Sequence, residues 1–230
     1  MLVQIYETQD ASEARALEAV GVDHIGVLVG RGRYARELRP PQARRIFDAI
    51  TQARRVALSL SDDLEEVVEV VVETGPDILH LGTVPEALGP EAVATLKTGF
   101  PDVKLMRTIP VIDERSLLLA TQYDGLVDYL LLDTYQPGDT QVGATGAPHD
   151  WEVSRRIVGS VRTPVILAGG LGPTNVAEAI RTVRPAGVDS KTHTDWDGGP
   201  FKDIEQVRAF VRIAKSSIEC GSPPERFGRS

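Results

Sequence analysis

Cysteine is almost absent from this sequence: the 230-residue chain contains a single one, Cys220. No disulfide can therefore form within the chain, which is typical of proteins that work in a reducing cytoplasm. Reactive thiols need a shaped, electropositive surrounding, and nothing near Cys220 in the sequence indicates one. We expect a cytoplasmic protein that does not use a thiol nucleophile.

Positive charge and long apolar stretches are also scarce. Lysine and arginine number 25 against 33 aspartates and glutamates, which gives a formal net charge of −8. An acidic surface argues against a nucleic-acid partner, because phosphate backbones bind basic faces. No window of about 18 uncharged apolar residues occurs, so we expect no membrane span. The opening segment MLVQIYETQD lacks a basic start and an apolar core, so it does not resemble a signal peptide.

Short apolar runs alternate with amphipathic segments along the whole chain. Apolar residues make up 42% of the sequence and charged residues 25%, an ordinary balance for a globular protein with a sizeable core. Runs that are apolar on both faces and too short for a helix indicate strands of a parallel sheet covered on both sides. They span residues 2–6, 24–29, 55–60, 78–81, 104–108, 129–132, 164–167 and 187–189.

The segments between these runs carry helix signals. Amphipathic spacing predicts helices over residues 12–20, 63–74 and 203–215. Asp63 opens one of them, and acidic residues follow in its first turn, where the helix dipole favours them. Pro41 and Pro90 stand where a first helical residue is expected.

A recurring pattern supports the strand count. A pattern of glycine or proline, then aspartate, then a strand recurs in GVDHIGV, GPDILHL, LVDYLLL and GVDSK, at irregular intervals that indicate a repeated βα unit. Eight strands alternating with eight helices predict a closed (β/α)8 TIM barrel, a single domain over residues 1–215. Residues 216–230 are polar and turn-rich, and we expect a mobile tail there. The alternative is an open doubly wound sheet, but no Gly-x-Gly-x-x-Gly follows the first strand.

Two strand ends carry the strongest site signals, because barrel active sites lie on the loops that follow the strands. In LAGGLGPTNV a strand ends at Gly169 and Gly170, and a helix capped near Thr174 follows. Glycines allow close backbone approach, and helix N–H groups attract anions, so we expect a phosphate here, with a plain tight turn as the alternative.

The other strand end is Asp133, whose carboxyl should point into the barrel mouth among apolar neighbours and keep a raised pKa. A long loop follows it, and its glycines, at Gly138, Gly143 and Gly146, could let it close over a ligand. The alternative makes Asp133 a helix cap or an ion-pair partner.

The sequence resembles the phosphoribosylanthranilate isomerase family from Leu2 to about Lys215. The resemblance rests on LLLDT, the GATG and DW that follow it, LAGGLGPTNV, GPFKD, GVDHIGVLV and RPPQAR, in that family's order. It implies an Amadori rearrangement of a phosphoribosyl aminoaldose in tryptophan biosynthesis, without metal or cofactor. By that resemblance Asp133 is the general acid, and Arg36 binds the anthranilate carboxylate.

The sequence departs from the family at three places in the predicted mouth. The family's strand-one cysteine, its general base, is replaced by Tyr6, which is followed by Glu7. Tyrosine, with a reference pKa near ~10, is a poor base at neutral pH. Glu7 can serve as one only if the strand has ended, because successive side chains of a strand alternate between faces. The family's glutamine on strand four is His80 here.

The third departure is the loop after strand eight, which reads Lys191, Thr192, His193, Thr194 and Asp195 where the family has serine, serine, glycine, valine and glutamate. Lys191 and His193 could compensate by charge for the lost glycine, with Thr192 beside the same phosphate. Because the changes cluster in one mouth, the pattern favours a changed substrate or reaction.

Several roles stay open at this point. His80 is either an acid–base group or a structural histidine. Arg107, on the predicted fifth strand, is a further candidate for substrate binding. A metal held by His80, His193, Asp133 and Asp195 has no supporting local spacing, so none is expected. Besides an isomerase, the sequence allows a lyase or aldolase-like enzyme with a Schiff base at Lys191, or a silent phosphate-binding barrel, as a monomer or homodimer.

Overall fold

Eight strands and eight helices alternate in the part of the chain that the structure, a computed structural model, describes: residues 1–135, 150–197 and 199–217. The strands are β1 (Leu2–Ile5), β2 (His24–Leu28), β3 (Arg54–Ser59), β4 (Ile78–Leu81), β5 (Lys104–Val111), β6 (Tyr129–Thr134), β7 (Val165–Leu167) and β8 (Gly187–Ser190). Every neighbouring pair is parallel, and β8 pairs with β1. The closed barrel confirms the predicted (β/α)8 fold.

The helices surround this barrel. They are α1 (Ala11–Ala19), α2 (Pro40–Phe47), α3 (Leu64–Thr74), α4 (Pro90–Gly99), α5 (Glu114–Tyr123), α6 (Trp151–Ser160), α7 (Val176–Val183) and α8 (Ile204–Ser216), and a short 3-10 helix, Thr192–Thr194, precedes α8. Asp63 caps α3 by accepting from the Glu65 backbone, as its position in the sequence predicts. No helix among the described residues has the length and apolar character needed to cross a membrane.

Several local predictions shift by a residue or more. Helix α2 begins at Pro40, so Pro41 is its second residue, whereas α4 begins at Pro90 as expected. The residue that caps α7 is Asn175 and not Thr174. Strand β5 runs to Val111, three residues beyond the predicted end at Thr108.

Two predictions fall mostly outside the described residues. The first is the closing loop with Gly138, Gly143 and Gly146. The second is the mobile tail, of which only Ser216, the last residue of α8, and Ser217, its cap, are described.

The apolar core has two layers. Side chains that alternate inward along the strands fill the barrel, including Val56, Ile78, Met106, Leu131 and Ile166. The other face of each strand packs against the helices and forms the larger layer. Because both faces of the sheet are buried, the strands carry apolar residues at nearly every position, which explains the continuous runs in the sequence.

Aspartates lock the strand pairs at the amino end of the barrel. Asp23 accepts a hydrogen bond from the Val3 backbone at 2.8 Å, and Asp77 accepts one from the Arg55 backbone at 2.9 Å. Asp128 does the same for Leu105 at 2.9 Å. These are the aspartates of the first three repeated motifs, and each sits just before an even-numbered strand.

The fourth motif, GVDSK, is not equivalent to the other three. The Ala186 backbone N–H donates to the Val165 carbonyl, as the Asp23 backbone N–H donates to the Val3 carbonyl. Ala186 is therefore the residue that corresponds to Asp23. Asp189 lies three positions further on, inside β8. The aspartate of the repeated pattern therefore joins two strands in three places. Asp189 does not have this role, because it lies within strand β8.

Candidate active site

A cavity of about 180 Å³ opens at the carboxyl ends of the strands. Ionisable side chains, two tyrosines and several apolar side chains line this cavity. The lining residues are Tyr6, Glu7, Leu28, Tyr34, Ala35, Leu58, Leu60, His80, Gly82, Thr108, Leu131, Asp133, Asp189 and Lys191. Five residues singled out from the sequence thus meet in one cavity: Tyr6, Glu7, His80, Asp133 and Lys191. They come from strand ends that are distant in sequence.

Asp133 is the fifth residue of β6, and its position on an inward-facing register places its carboxyl in the cavity. Burial raises the pKa of Asp133 to about 7, although the Thr134 backbone N–H donates to it at 2.7 Å and the charge of Lys191 also acts to lower it. A carboxyl with a pKa near neutrality can both donate and accept a proton at physiological pH. Asp133 therefore has the chemistry of a general acid.

Tyr6 and His80 form a buried hydrogen-bonded pair. The Tyr6 hydroxyl lies 2.6 Å from His80 Nδ1, and His80 Nε2 lies 2.6 Å from Thr108 Oγ1. Burial lowers the pKa of His80 to about 3, with the charge of Arg107 adding to the effect, and burial raises the pKa of Tyr6 well above its usual value. Both groups are neutral near pH 7, so a neutral imidazole with one donor and one acceptor nitrogen links the two hydroxyls.

Glu7 turns into the cavity because β1 has already ended at Ile5. Its backbone adopts the left-handed region, with φ 61°, which breaks the alternation that would otherwise carry the side chain to the outer face. Its Oε2 lies 3.2 Å from Lys191 Nζ and 3.4 Å from Arg36 Nε. A carboxylate therefore faces the cavity beside Tyr6, flanked by two cations.

Arg36 is held by the protein itself. Its Nη1 donates to Asp195 at 2.7 Å and its Nη2 to the other oxygen of Asp195 at 3.4 Å, and Nη2 also donates to the Pro200 carbonyl. From this loop, Tyr34 and Ala35 line the cavity and Arg36 does not. The structure places Arg36 behind the site, in an ion-pair network.

The loops after β7 and β8 lie side by side. Gly169 and Gly170 both have positive φ, 85° and 63°, a conformation that favours glycine. The Asn175 amide donates to the Gly170 carbonyl at 2.9 Å, and Ser190 Oγ donates to the Leu171 carbonyl at 2.7 Å. These bonds fix the turn and join the two loops.

The strand-eight loop residues divide between two positions. Thr192 and His193 are exposed on the 3-10 helix, and a Cβ on Gly172 would lie 2.6 Å from His193 Cβ, so the two loops pack closely. Lys191 extends instead into the barrel mouth, where it pairs with Glu7. Of the predicted phosphate residues, Lys191 thus reaches the cavity, while the others form the neighbouring rim.

Arg107 lies outside the cavity. On β5 its side chain faces the helical layer, where it is fully buried and donates to the Thr83 carbonyl at 2.8 Å. Its guanidinium carbon lies 5.6 Å from the centre of the Tyr123 ring, a distance that allows a cation–π contact. Burial lowers its pKa to about 10. The structure does not bring Arg107 to the site residues with which it was grouped.

Asp189 is a cavity residue that the sequence interpretation missed. Gln4 Nε2 donates to Asp189 Oδ1 at 3.2 Å, and the side-chain oxygen Oε1 of Gln4 lies 3.1 Å from His24 Nδ1. Burial raises the pKa of Asp189 to about 8, and the nearby Asp133 adds to the effect. The available signal was the parity of the strand, because an aspartate between Val188 and Ser190 must face the barrel interior if Val188 faces the helices.

Metal ligands do not converge in the described part of the chain, which contains no group of three or more histidine, cysteine, aspartate or glutamate side chains arranged to hold an ion. The side chains that line the cavity supply a carboxyl with a pKa near neutrality, a carboxylate, an ammonium group and hydrogen-bonding hydroxyls.

Comparison with known proteins gives one consistent answer. The sequence model of the family described as N-(5'phosphoribosyl)anthranilate (PRA) isomerase matches residues 7–213. The N-(5'-phosphoribosyl)anthranilate isomerase of Haloferax volcanii is 35% identical over 217 residues, 94% of this chain and 93% of the relative. That of Methanocella arvoryzae is 38% identical over 218 residues, 93% and 99% of the two chains.

A solved structure agrees with these relatives. The N-(5'-phosphoribosyl)anthranilate isomerase from Pyrococcus furiosus has a TM-score of 0.76 and 29% identity, covering 94% of this chain and 99% of that one. This chain therefore belongs to the N-(5'-phosphoribosyl)anthranilate isomerase family.

Proposed function

We propose that this protein is an acid–base isomerase of a small phosphorylated aldose or aminoaldose, and that its substrate differs from phosphoribosylanthranilate. One observation carries the proposal. The residue at the family's base position, Tyr6, is hydrogen-bonded to His80 and stays protonated, while the Glu7 carboxylate lines the same cavity as the protonatable Asp133.

The proposed chemistry needs one acid and one base. Protonated Asp133 donates its proton to the ring oxygen of the sugar, and the ring C–O bond breaks as the lone pair of the C1 nitrogen forms a protonated imine. In an aldose the C1 hydroxyl forms an aldehyde instead and returns its proton to Asp133, which donates it again to the aldehyde oxygen in the next step. Glu7 then removes the proton from C2, and the electron pair of that C–H bond forms the enolamine or enediol. Glu7 returns this proton to C1 while the C2 hydroxyl gives its proton to Asp133, which yields the keto isomer, restores both carboxyl groups and consumes no co-reactant.

The side chain at the family's base position supports a substrate that differs from the family's. Tyr6 occupies the place of a cysteine, and its ring and the His80 ring, 5.5 Å apart, line the cavity. A tyrosine is larger than a cysteine, so less space remains there for an aromatic aglycone. The apolar wall that remains, Leu28, Leu58, Leu60 and Leu131, suits the hydrocarbon face of a sugar.

The rim supports a phosphate group. The loop after β7 carries the positive-φ glycines Gly169 and Gly170 and leads to the backbone N–H groups at the start of α7. From the neighbouring loop after β8, the cation Lys191 extends into the mouth beside this rim. Helix amino ends and an ammonium group together favour a dianion. Thr192 and His193 extend the same rim.

A Schiff-base lyase at Lys191 has weaker support. The Lys191 ammonium lies 3.2 Å from Glu7 Oε2. An ammonium ion paired with a carboxylate offers no electron pair for attack on a carbonyl, and catalytic lysines of that class need a site that favours the neutral amine. Borohydride trapping with the same sugar phosphates separates the two mechanisms, because only the lyase forms a reducible adduct on the protein.

Proton exchange offers a direct test that does not depend on complete turnover. The purified protein in D₂O is incubated with phosphoribosylanthranilate and, separately, with ribose 5-phosphate and other aldose phosphates, and loss of the C2–H signal is followed by proton NMR. We expect enzyme-dependent exchange with at least one non-aromatic sugar phosphate, abolished in Asp133→Asn or Glu7→Gln. Exchange confined to phosphoribosylanthranilate contradicts the changed substrate. No exchange with any of them contradicts the isomerase and leaves a binding barrel.

A further inference from the structure

Two non-glycine residues with left-handed backbone meet at the ends of neighbouring strands. Glu7 follows β1 with φ 61°, and Arg36 follows β2 with φ 67°. Side chains other than glycine adopt this region only at a steric cost, because Cβ comes close to the backbone carbonyl oxygen. Such residues persist where the surroundings over-determine them, and they cluster at functional sites. The neighbourhood of this pair therefore needs an explanation.

Gln9 ties the two backbones together. Its side-chain amide donates to the Glu7 carbonyl at 3.1 Å and to the Arg36 carbonyl at 3.2 Å. Glu13, at the start of α1, accepts from the Gln9 backbone at 2.7 Å. One amide thus holds both unusual turns in register, and both side chains are directed toward each other.

The side chains continue into a row of alternating charges. Lys191, Glu7, Arg36, Asp195 and Lys202 follow one another, each paired with the next. At the inner end, the Lys202 ammonium is fully buried, lies 2.5 Å from Asp195 Oδ1, and donates to the Lys191 carbonyl at 2.9 Å. The row begins at the cavity and ends behind the loop after β8.

Both contacts of the Glu7 carboxylate are made by charge and not by hydrogen bonds. Glu7 Oε2 and Arg36 Nε are buried and lie 3.4 Å apart, Lys191 Nζ lies 3.2 Å from the same oxygen, and Oε2 makes no hydrogen bond with any described residue. Charge therefore holds the carboxylate through its buried oxygen Oε2, while Glu7 lines the cavity. A general base needs a carboxylate held within reach of the substrate.

We infer that Arg36, Asp195 and Lys202 are positioning residues that hold the Glu7 carboxylate at the cavity, and that Arg36 does not bind a substrate carboxylate. Three N–H groups of Arg36 donate to Asp195 and Pro200, and Nε faces Glu7. Among the described contacts, one N–H group of Nη1 is left beside the buried Nε, so the terminal nitrogens do not offer the two adjacent free donors of a two-pronged grip on a carboxylate. This inference rests on the proposed role of Glu7 as base.

Kinetics of matched variants test the inference with the sugar phosphate that shows exchange. Arg36→Ala and Asp195→Asn should each lower kcat by about 10–100-fold with KM nearly unchanged, because a small displacement of a catalytic group is costly to rate. Added guanidinium should restore part of the kcat of Arg36→Ala. Arg33→Met is the control: Arg33 lies in the same loop, pairs with Glu66 at 2.8 Å and does not line the cavity.

A large rise in KM with unchanged kcat in Arg36→Ala overturns the inference, because it makes Arg36 a substrate ligand. If Glu7→Gln leaves exchange intact while Asp133→Asn abolishes it, the base assignment in the proposed function fails instead. Arg36→Lys keeps the charge but cannot reach both partners, so it replaces Arg36→Ala if that variant fails to fold.

A crystal structure of Asp195→Asn provides a readout that needs no turnover. Asparagine keeps the shape of the side chain and removes its charge, so Arg36 loses its anchor. We expect the Glu7 carboxylate to leave the cavity edge in this variant and to remain there in Arg33→Met. An unchanged Glu7 in Asp195→Asn contradicts the positioning role, even in the absence of a known substrate.

Discussion

The ring of Tyr6 lies directly over the Cα atom of Gly26, so that a Cβ added to Gly26 would overlap ring atoms Cδ1 and Cε1. Glycine on β2 is thus the counterpart of tyrosine on β1: the large side chain fits the barrel because its neighbour has none. The replacement of the family's cysteine by Tyr6 is therefore accommodated by packing as well as by hydrogen bonding.

Substituting Gly26 should expose this dependence. Overpacking a well-filled core costs about 1–3 kcal/mol, so Gly26→Ala should lower the free energy of unfolding by at least that range, measured by urea denaturation. Adding Tyr6→Cys to Gly26→Ala should recover most of the loss caused by the alanine. Gly159→Ala, at a helical glycine whose Cβ would meet nothing within 4 Å, is the control and should be neutral or stabilising. Equal losses with and without Tyr6 contradict the packing argument.

Asp133→Asn should lower kcat by about 10²–10⁴-fold and leave KM largely unchanged, because a proton donor acts in the transition state. The raised pKa of Asp133 also sets the direction in which the rate should change with pH. Since Asp133 has a pKa of about 7, its proton is present below that value and lost above it. The wild-type rate should therefore fall as the pH rises from 7 to 9, and the residual rate of Asp133→Asn should lack this decline. A change confined to KM makes Asp133 a binding residue.

Restoring the family's residues at the end of β1 should restore some of the family's activity. Wild-type protein should isomerise phosphoribosylanthranilate weakly or not at all, as followed by the fluorescence of the anthranilate adduct. Tyr6→Cys combined with Glu7→Gly supplies a thiol with a reference pKa of about 8.5 and should raise this activity. Tyr6→Ser with Glu7→Gly is the control that opens the same space without the base. A wild-type kcat/KM of about 10⁴ M⁻¹s⁻¹ or more, at the lower end of ordinary enzymes, refutes the prediction.

Arg107→Met tests whether the buried guanidinium has any part in binding. Arg107 Nε and Nη1 are buried and make no hydrogen bond with the described residues. Replacing a buried charge by an apolar side chain of similar volume is often neutral or stabilising. We expect an unchanged or higher Tm. We also expect a KM within about twofold of the wild type, because Arg107 lies outside the cavity and its loss should not change how strongly the substrate binds. A tenfold rise in KM places Arg107 in the substrate site after all.

Asp189 should make the protein less stable as the pH rises. Its pKa is about 8 in the folded chain against roughly 3.9 for an ordinary aspartate. A group that holds its proton more tightly when folded contributes its stability at low pH, and this contribution is lost between about pH 4 and 8. Urea denaturation at pH 5 and pH 8 should show a smaller difference for Asp189→Asn than for the wild type. Asp102→Asn, at an exposed position, should keep the wild-type difference.

The barrel could be predicted from the sequence because strands buried on both faces have short, continuous runs of apolar residues. The position of Asp133 could also be predicted, because a polar residue at the carboxyl end of such a run is expected at the mouth of the barrel. The sequence named Glu7 as a base only on the condition that β1 had ended before it, because the orientation of Glu7 depends on a left-handed backbone at a residue that is not glycine. That conformation is stabilised by Gln9 and Arg36, contacts that no local pattern encodes.

Arg107 and Asp189 illustrate a second limit, the parity of a strand buried on both faces. Alternation along β5 places Met106 and Thr108 on one face and Arg107 on the other. When both faces are apolar, the sequence does not indicate which of them is the barrel interior. For Asp189, the repeated GVD motif suggested an amino-end position, whereas the closed barrel places it in the interior.

The three aspartates at the amino end of the barrel, Asp23, Asp77 and Asp128, fix strand pairs at the end opposite the cavity. Strand pairs β1–β2, β3–β4 and β5–β6 are each clamped at the end away from the cavity, so residues at the mouth can change without loosening the register below them. At β7–β8 the corresponding residue is Ala186, whose backbone alone makes the contact. The sector that carries the loops after β7 and β8 thus lacks the aspartate clamp that the other three strand pairs have. We expect relatives with new substrates to differ first there, and laboratory selection for new activities to succeed there soonest.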